Sequence, residues 1–354
     1  MAFTAKIHPG FKFNGLSYTE KDLEELAYDL VKEGEAHEQS AGDFLLDWLN
    51  TEDWVEVKTS GTTGAPKNIR ILKNNMLNSA MATGRFFDLG PGNSALHCLP
   101  SKYIAGKMMW VRAMILGWEI DLVAPSSKPL ENTDKKYDFC AMVPLQVQNS
   151  LEELHRVKKL IIGGAKVSEE LTAHLQHVPT LAYETYGMTE TITHIAAKKL
   201  NHLKDPSKSG NFHLLPNVSI EKDERDCLLI EAPEVASEKI ITNDIVEIVS
   251  DLEFKWLGRF DNVINSGGIK LIPEQIEIKL SKTVTNRFFL SSIKDKQLGE
   301  KLILVVEGSE KERDRISEAI KSLKTIDKYE IPREIYFFER FEETENGKIV
   351  RKLG

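Results

Sequence analysis

The sequence predicts an α/β protein: a large N-terminal domain of helix-covered β-sheets with a small barrel-like subdomain, followed by a small α+β C-terminal domain. Three observations carry this. Strand-like and helix-like segments alternate from about residue 54 to residue 162, the pattern of parallel strands joined by helical crossovers. At 354 residues the chain is long for one hydrophobic core, which implies two domains. After Gly210 the texture shifts to shorter strands separated by turns, as in an antiparallel or barrel-like subdomain.

Thr19 caps a helix running from Glu20 to about Glu33, and Gly42 to Leu49 supplies a second apolar helical face. Trp54 to Val57 alternates as a strand, Ile69 to Ile71 is another, and Lys73 to Phe87 has the period of an amphipathic helix. The series continues with a buried strand at Ala95–Leu99, a helix at Ile104–Leu116 and a strand at Trp118–Val123. A strand at Phe139–Val143, a helix at Leu145–Leu154 and a strand at Lys159–Ile162 complete it. Further short strands are expected at Thr180–Tyr183, Cys227–Ile230 and Ile245–Val249. The C-terminal unit, 261–354 against a core of 1–260, shows a turn at Gly267-Gly268 and a helix at Pro273–Leu280. A strand at Leu302–Val306 and a charged helix at Lys311–Leu323 follow.

Composition narrows the function classes. A net charge of −8 argues against nucleic acid as the main partner, because that binding rests on clustered Lys and Arg. Cys98, Cys140 and Cys227 are widely spaced, which indicates neither a disulfide framework nor a zinc site and fits a reducing compartment. The most apolar stretch, Met108 to Ala124, is broken by Arg112, Glu119 and Asp121, so no membrane insertion is expected. A cytoplasmic protein is the resulting expectation.

Five segments carry chemistry. Thr59-Ser60-Gly61-Thr62-Thr63-Gly64-Ala65-Pro66-Lys67 combines hydroxyls, glycines and one lysine, a composition that holds phosphate through freed backbone N–H groups and side-chain donors. Its glycine spacing, with Pro66 before Lys67, excludes a Walker-type loop. Tyr186-Gly187-Met188-Thr189-Glu190 offers an aromatic face for a base, a hydroxyl donor and a carboxylate for Mg²⁺, although a strand-to-helix turn capped by Thr189 would read alike. Thr242-Asn243-Asp244 with Gly258-Arg259 supplies a carboxylate able to accept ribose hydroxyls, or else a surface turn, with Asn243 suited to a left-handed conformation. Ser266-Gly267-Gly268-Ile269-Lys270 lets a thin ligand pass, or makes a plain hairpin. Asn346-Gly347-Lys348 to Arg351 would, alone, be a basic tail.

In this order and spacing the segments resemble the adenylate-forming superfamily of acyl- and aryl-CoA synthetases, luciferases and adenylation domains. The stretch from Leu99 to Met109 and Ile161 to Ala165 are most similar to short bacterial 2-succinylbenzoate–CoA ligases. The resemblance implies ATP, Mg²⁺ and CoA, and a mobile C-terminal domain turning about Asp261. It implies that Thr59 to Lys67 hold the β- and γ-phosphates, that Gly164, Ala165 and Lys166 flank adenine, and that Tyr186, with Gly187 behind it, stacks on the base. Thr189 would contact the α-phosphate or substrate carboxylate, Glu190 would hold Mg²⁺, and Asp244 and Arg259 the ribose. Lys348 would be the catalytic lysine, and Gly267, Gly268 and Lys270 would line the CoA passage. Lys102, Tyr103, Ala105, Gly106, Gly163 and His194 would form the acyl pocket, with Lys107 a second candidate beside Lys102 for a distal carboxylate. His97, His155, His174, His177, His202 and His213 lack ligand spacing and are expected to be structural or solvated.

Two departures stand out: Tyr103 where many relatives place histidine, and Asn243 for the usual glycine. The early phosphate loop also implies an abbreviated N-terminal region, for which a homo-oligomer would compensate. The alternatives are an adenylating ligase for another aryl or short acyl acid, delivering to CoA or a carrier-protein thiol, and a non-catalytic nucleotide-binding regulator. Lys348→Ala separates the last: adenylation measured by acid-dependent pyrophosphate release should vanish while ATP binding is retained, and persisting release would refute a catalytic Lys348.

Overall fold

The computed structural model describes residues 7–58, 68–205, 210–342 and 349–351. Contacts divide the chain into two units: residues up to 220 with 230–240 and 250–253, and residues 221–229, 241–249 and 254–354. The second unit therefore begins upstream of the expected boundary at residue 261. Gln275 Nε2, for example, donates to Leu257 O at 2.6 Å.

In the first unit the strands lie in the order Asn211–Leu214, His194–Lys199, Leu181–Gly187, Val157–Ile162, Tyr137–Met142, Ser94–His97, Glu119–Leu122, Lys12–Phe13 and Leu16–Ser17. Pairing is parallel from Leu181–Gly187 across to Lys12–Phe13 and antiparallel beyond either end. Successive side chains of a strand point to opposite faces, and here both faces are covered. Ala95, Phe139, Ala141 and Ile161 join one apolar cluster with Phe44, Met76 and Trp110 from the helices Ala36–Leu49, Lys73–Phe87 and Ile104–Leu116. Leu96, Cys140, Met142 and Ile162 join a second with Val147, Leu171 and Leu175.

Local signals explain the helix limits. Thr19 closes a capping box with Asp22 at the start of Glu20–Glu33, and Gly117, at φ 72°, ends Ile104–Leu116 where a β-carbon would strike His8. The strands Trp54–Lys58 and Asn68–Leu72 do not join the parallel sheet but form an antiparallel pair of their own. The nine residues between them, 59–67, are too few for a parallel crossover, which needs about a dozen or more. The helix expected to reach Leu154 stops at Asn149, and a 3₁₀ turn at Leu154–Arg156 follows.

The second unit contains most of the run Ser219–Lys222, Cys227–Glu231, Ile240–Ser250 and Glu253–Arg259, adjacent in that order. A five-stranded sheet then orders Ile269–Leu271, Ile264–Ser266, Gly299–Glu307 and Phe288–Asp295, with Glu334–Phe338 parallel to Gly299–Glu307. The helices Pro273–Leu280 and Arg313–Ser322 bury Ile276, Leu280, Ile316 and Ile320 against it. Among the described residues no helix is long and apolar enough to cross a membrane.

His97 is fully buried; one ring nitrogen meets Ser101 Oγ at 3.0 Å and Nδ1 has no partner among the described residues. Burial, with a smaller contribution from His37, pushes its pKa down to about 3. The native imidazole thus stays neutral where the unfolded chain, near 6.5, takes up a proton. Stability should fall on acidification below pH 6.5 at about 1.4 kcal/mol per pH unit from this group. Urea titrations of the wild type and His97→Gln between pH 6.5 and 5 should show a shallower loss in the variant; equal slopes would contradict this.

Candidate active site

Parallel pairing brings the carboxyl ends of Ser94–His97, Tyr137–Met142, Val157–Ile162 and Leu181–Gly187 to one edge of the first unit, where ligands of open α/β sheets bind. The segments following Ser94–His97, Val157–Ile162 and Leu181–Gly187 are ones the sequence singled out. After Ile162, Gly163 N donates to Met142 O at 3.1 Å, and Gly164 adopts φ 84°. Thr185 Oγ1 donates to Ile162 O at 3.1 Å, and a β-carbon on Gly163 would lie 2.9 Å from that hydroxyl. Ala165 is half-buried and Lys166 exposed.

Gly187 has a stricter reason. A β-carbon there would sit 2.2 Å from Thr193 O and 2.5 Å from His194 Cα, so only glycine lets the chain double back at the irregularity between His194 and Ala196. Between them Thr189–Thr191 form a 3₁₀ turn, and Ile192 takes φ 68°, ψ −60° with Thr193 N bonded to Thr191 O at 2.7 Å. That is a positive-φ γ-turn, costly for a β-branched residue and the kind of strain that collects at functional sites. The turn holds Thr189 half-buried and Glu190 exposed. Tyr186 packs its ring edge-on to Phe212, with centroids 5.8 Å apart.

At the start of Ile104–Leu116, a β-carbon on Gly106 would lie 2.3 Å from Pro100 O, so this glycine sets the close packing of the helix on the preceding turn. Lys102 is exposed with its ammonium 4.9 Å from the Tyr103 ring, and Ala105 is exposed. Lys107 turns inward: buried, with Nζ 4.8 Å from the Phe44 ring, its pKa is lowered by burial against the opposing pull of Asp47 and Asp43.

The residue that sequence reasoning passed over is Arg112, read only as an interruption in an apolar stretch. It is 2% exposed, and burial pushes its pKa down to about 10. Its guanidinium donates to Thr193 Oγ1 at 3.3 Å and Thr83 Oγ1 at 3.4 Å, and among the described residues no carboxylate lies within ion-pair distance. Thr193 Oγ1 also shares a hydrogen bond with Ser79 Oγ at 3.0 Å. His194 lines a small pocket with Ser79, Asn78, Thr191 and Leu215, and its Nε2 is buried without a partner among the described residues. Burial, then the charge of Arg112, lowers the His194 pKa well below the usual range, so it offers a neutral imidazole. A buried cation flanked by hydroxyls and an unused ring nitrogen suits an anionic or strongly polar ligand group. An arginine within the apolar run Met108–Leu116 was the available signal.

In the second unit Asp244 is buried and accepts from Trp256 Nε1 at 3.0 Å and from Arg259 at 3.5 Å. Arg259 also reaches Asp261 at 3.4 Å. Asn243 lies within the strand Ile240–Ser250 and is absent from the positive-φ residues, so the left-handed conformation it is suited to is not adopted. Its side chain instead donates to both Asp261 oxygens, at 3.1 and 3.2 Å, and accepts from Arg225 at 3.0 Å. Gly267 and Gly268, at φ 59° and 79°, make the two-residue turn of the hairpin Ile264–Ser266 and Ile269–Leu271, and Lys270 is exposed. Thr59, Ser60, Gly61, Thr62, Thr63, Gly64, Lys67 and Lys348 lie outside the described residues.

Gly187→Ala should displace the Thr189–His194 segment because backbone atoms, not a flexible side chain, occupy the space. A drop in any nucleotide-dependent activity of at least about 100-fold is expected, with loss of stability of about 1–3 kcal/mol. Unchanged activity in a folded variant would show that this close approach does not matter.

A family model described as AMP-binding enzyme matches residues 57–226. The chain is 37% identical to an acyl-CoA synthetase (AMP-forming)/AMP-acid ligase II-like protein from Dyadobacter fermentans, covering 93% of this chain and 96% of that one at a TM-score of 0.63. It is 25% identical to the 2-succinylbenzoate–CoA ligase of a Geobacillus species over 83% of this chain, and it spans about two thirds of the length of that relative, 66%. An o-succinylbenzoate CoA synthetase from Bacillus subtilis in complex with its acyl-adenylate shares the fold at 18% identity and a TM-score of 0.73, covering 93% of this chain and 80% of that one. The chain therefore belongs to the adenylate-forming family of AMP-binding enzymes.

Proposed function

We propose that the protein is an AMP-forming acid–thiol ligase that activates 2-succinylbenzoate, an aryl dicarboxylate, and transfers it to CoA. The buried Arg112 guanidinium, without a carboxylate among the described residues, is the observation that carries the substrate reading. Such a charge is costly unless something compensates it, and a substrate's second carboxylate would do so. Lys102, exposed at the head of the same helix, and His194 Nε2, with Tyr103, Ala105, Gly106 and Gly163 as walls, complete this acyl pocket in the proposal.

In the proposed reaction the other carboxylate attacks the α-phosphorus of ATP, pyrophosphate leaves, and the CoA thiol then displaces AMP. Little covalent work falls to the protein, so placement and charge supply the rate. Thr59 to Lys67 would grip the leaving phosphates and Lys348 would add positive charge at the reacting oxygen. Tyr186 and the Gly163–Lys166 turn would hold the base, and Asp244 with Arg259 the ribose. Glu190 is exposed, and among the described residues no cluster of three or more acidic, histidine or cysteine side chains could hold a metal alone. That donor set fits Mg²⁺ bound by one carboxylate together with substrate phosphates, where it would neutralise developing charge. CoA would reach the adenylate past Gly267, Gly268 and Lys270 after rotation about Asp261.

Pyrophosphate release with 2-succinylbenzoate, benzoate and other short acids, with CoA or a carrier protein as acceptor, tests the assignment. Stimulation by 2-succinylbenzoate and thioester formation with CoA are expected; failure of that acid to stimulate release would remove it. Arg112→Met should raise KM for 2-succinylbenzoate about 10- to 100-fold more than for a monocarboxylate. Its thermal stability should hold or rise, since a buried unpaired charge is replaced by an apolar chain. A variant that loses stability and leaves KM unchanged would assign Arg112 to structure.

A further inference from the structure

One buried carboxylate links the two elements that the proposed function assigns to the base. Glu184 lies on Leu181–Gly187 two residues before Tyr186, so both side chains stand on the same face of the sheet. It is 6% exposed, and its Oε1 accepts from Val167 N at 3.1 Å. Val167 directly follows the Gly163–Lys166 turn, whose other end is held by Gly163 N on Met142 O. The turn is thus fastened on both sides, and Glu184 is the fastening that comes from the Tyr186 strand.

The second oxygen looks across the ladder. Lys198 is directly opposite Glu184 in register, and its Nζ stands 2.5 Å from Oε2, an ion-pair contact outside hydrogen-bond geometry. The same ammonium lies 5.0 Å from the centroid of the Phe212 ring on the next strand. Phe212 in turn meets Tyr186 edge-on at 5.8 Å. Glu184, Lys198, Phe212 and Tyr186 therefore close a circuit across three neighbouring strands, with a branch from Glu184 to the turn. A neutral residue at 184 would leave Lys198 half-buried without its counter-charge, and one too short to reach would also leave the Val167 N–H without an acceptor.

We propose that Glu184, with Lys198, is the positioning residue of the base-binding subsite, setting the separation between the Gly163–Lys166 turn and the Tyr186 ring. The proposal rests on the nucleotide reading above, and it assigns the recognition of the adenine base, rather than phosphate or acid, to this circuit. Glu184 touches no reacting atom in this role.

Binding of AMP alone, by calorimetry, reads the subsite without the acid, CoA or turnover. Glu184→Ala should weaken AMP about 10-fold or more, in the range seen when supporting residues of a site are removed. Glu184→Gln retains an acceptor for Val167 N–H and should recover most of the loss, to within about 3-fold of wild type. Lys198→Met should weaken AMP by an intermediate factor, and adding it to Glu184→Ala should cost less than the product of the single effects. In steady state KM for ATP should rise while KM for the acid and kcat stay within about 2-fold, a split that general loosening would not produce. Amide hydrogen exchange at Val167 in nucleotide-free protein should quicken in Glu184→Ala and return toward wild type in Glu184→Gln. If Glu184→Ala does not fold, Glu184→Gln, Lys198→Met and Phe212→Leu carry the same comparison. Wild-type AMP affinity in whichever of Glu184→Ala, Lys198→Met and Phe212→Leu fold, or equal losses in KM for ATP and acid, would overturn the proposal. A wild-type protein that binds no AMP would instead overturn the nucleotide reading, and unaltered exchange at Val167 would then overturn the circuit by itself.

Discussion

The candidate groups that follow His97, Ile162 and Gly187 depend on one constraint, the parallel ladder that runs from Leu181–Gly187 to Lys12–Phe13. Because these strands share a direction, the segments after His97, Met142, Ile162 and Gly187 emerge at one edge. The ladder itself is possible only because both faces are covered, with Phe139 and Cys140 as neighbours in sequence entering different apolar clusters. Hydrogen bonds then refine positions the ladder has already decided. Thr185 on Ile162 O and Glu184 on Val167 N are both made between adjacent parallel strands or their extensions.

Buried charge is distributed unevenly through this frame. Lys73 has its ammonium on Asn50, donating to both the backbone and side-chain oxygens at 2.9 Å, and Lys107 faces an aromatic ring with two carboxylates nearby. These cations are compensated within the protein. Arg112 has hydroxyls and a thioether but no counter-charge among the described residues, and His194 beside it leaves Nε2 unused. A buried charge left without a counter-charge is costly to the fold, and the strained turn at Ile192 lies two residues from the same imidazole.

The second unit shows how a departure from an expected motif can be absorbed. Asn243, though suited to a left-handed turn, sits in an extended strand and directs its amide to Asp261 and Arg225. Asp244 is buried and accepts a hydrogen bond from Trp256 Nε1. The glycine pair at 267–268 follows simple hairpin geometry, with both residues at positive φ.

The sequence by itself determined the elements whose signals are local. Lys73–Phe87 and Ile104–Leu116 have the limits that their periodicity and terminal residues predict. Thr19 caps its helix, and Gly163-Gly164, Gly187 and Gly267-Gly268 stand at strand ends because glycine marks turns. His194–Lys199, buried at its start on both faces, has no alternation to read, and Glu169–Leu175 is too short to show a helical period. Only the tertiary structure decided that Arg112 is buried without a carboxylate partner among the described residues, that Lys107 turns away toward Phe44, that Gly187 must be glycine, and that Glu184 joins Val167 to Lys198. Each of these depends on what lies within a few ångströms from a distant part of the chain, and burial and partnership belong to the packed molecule rather than to any window of its sequence.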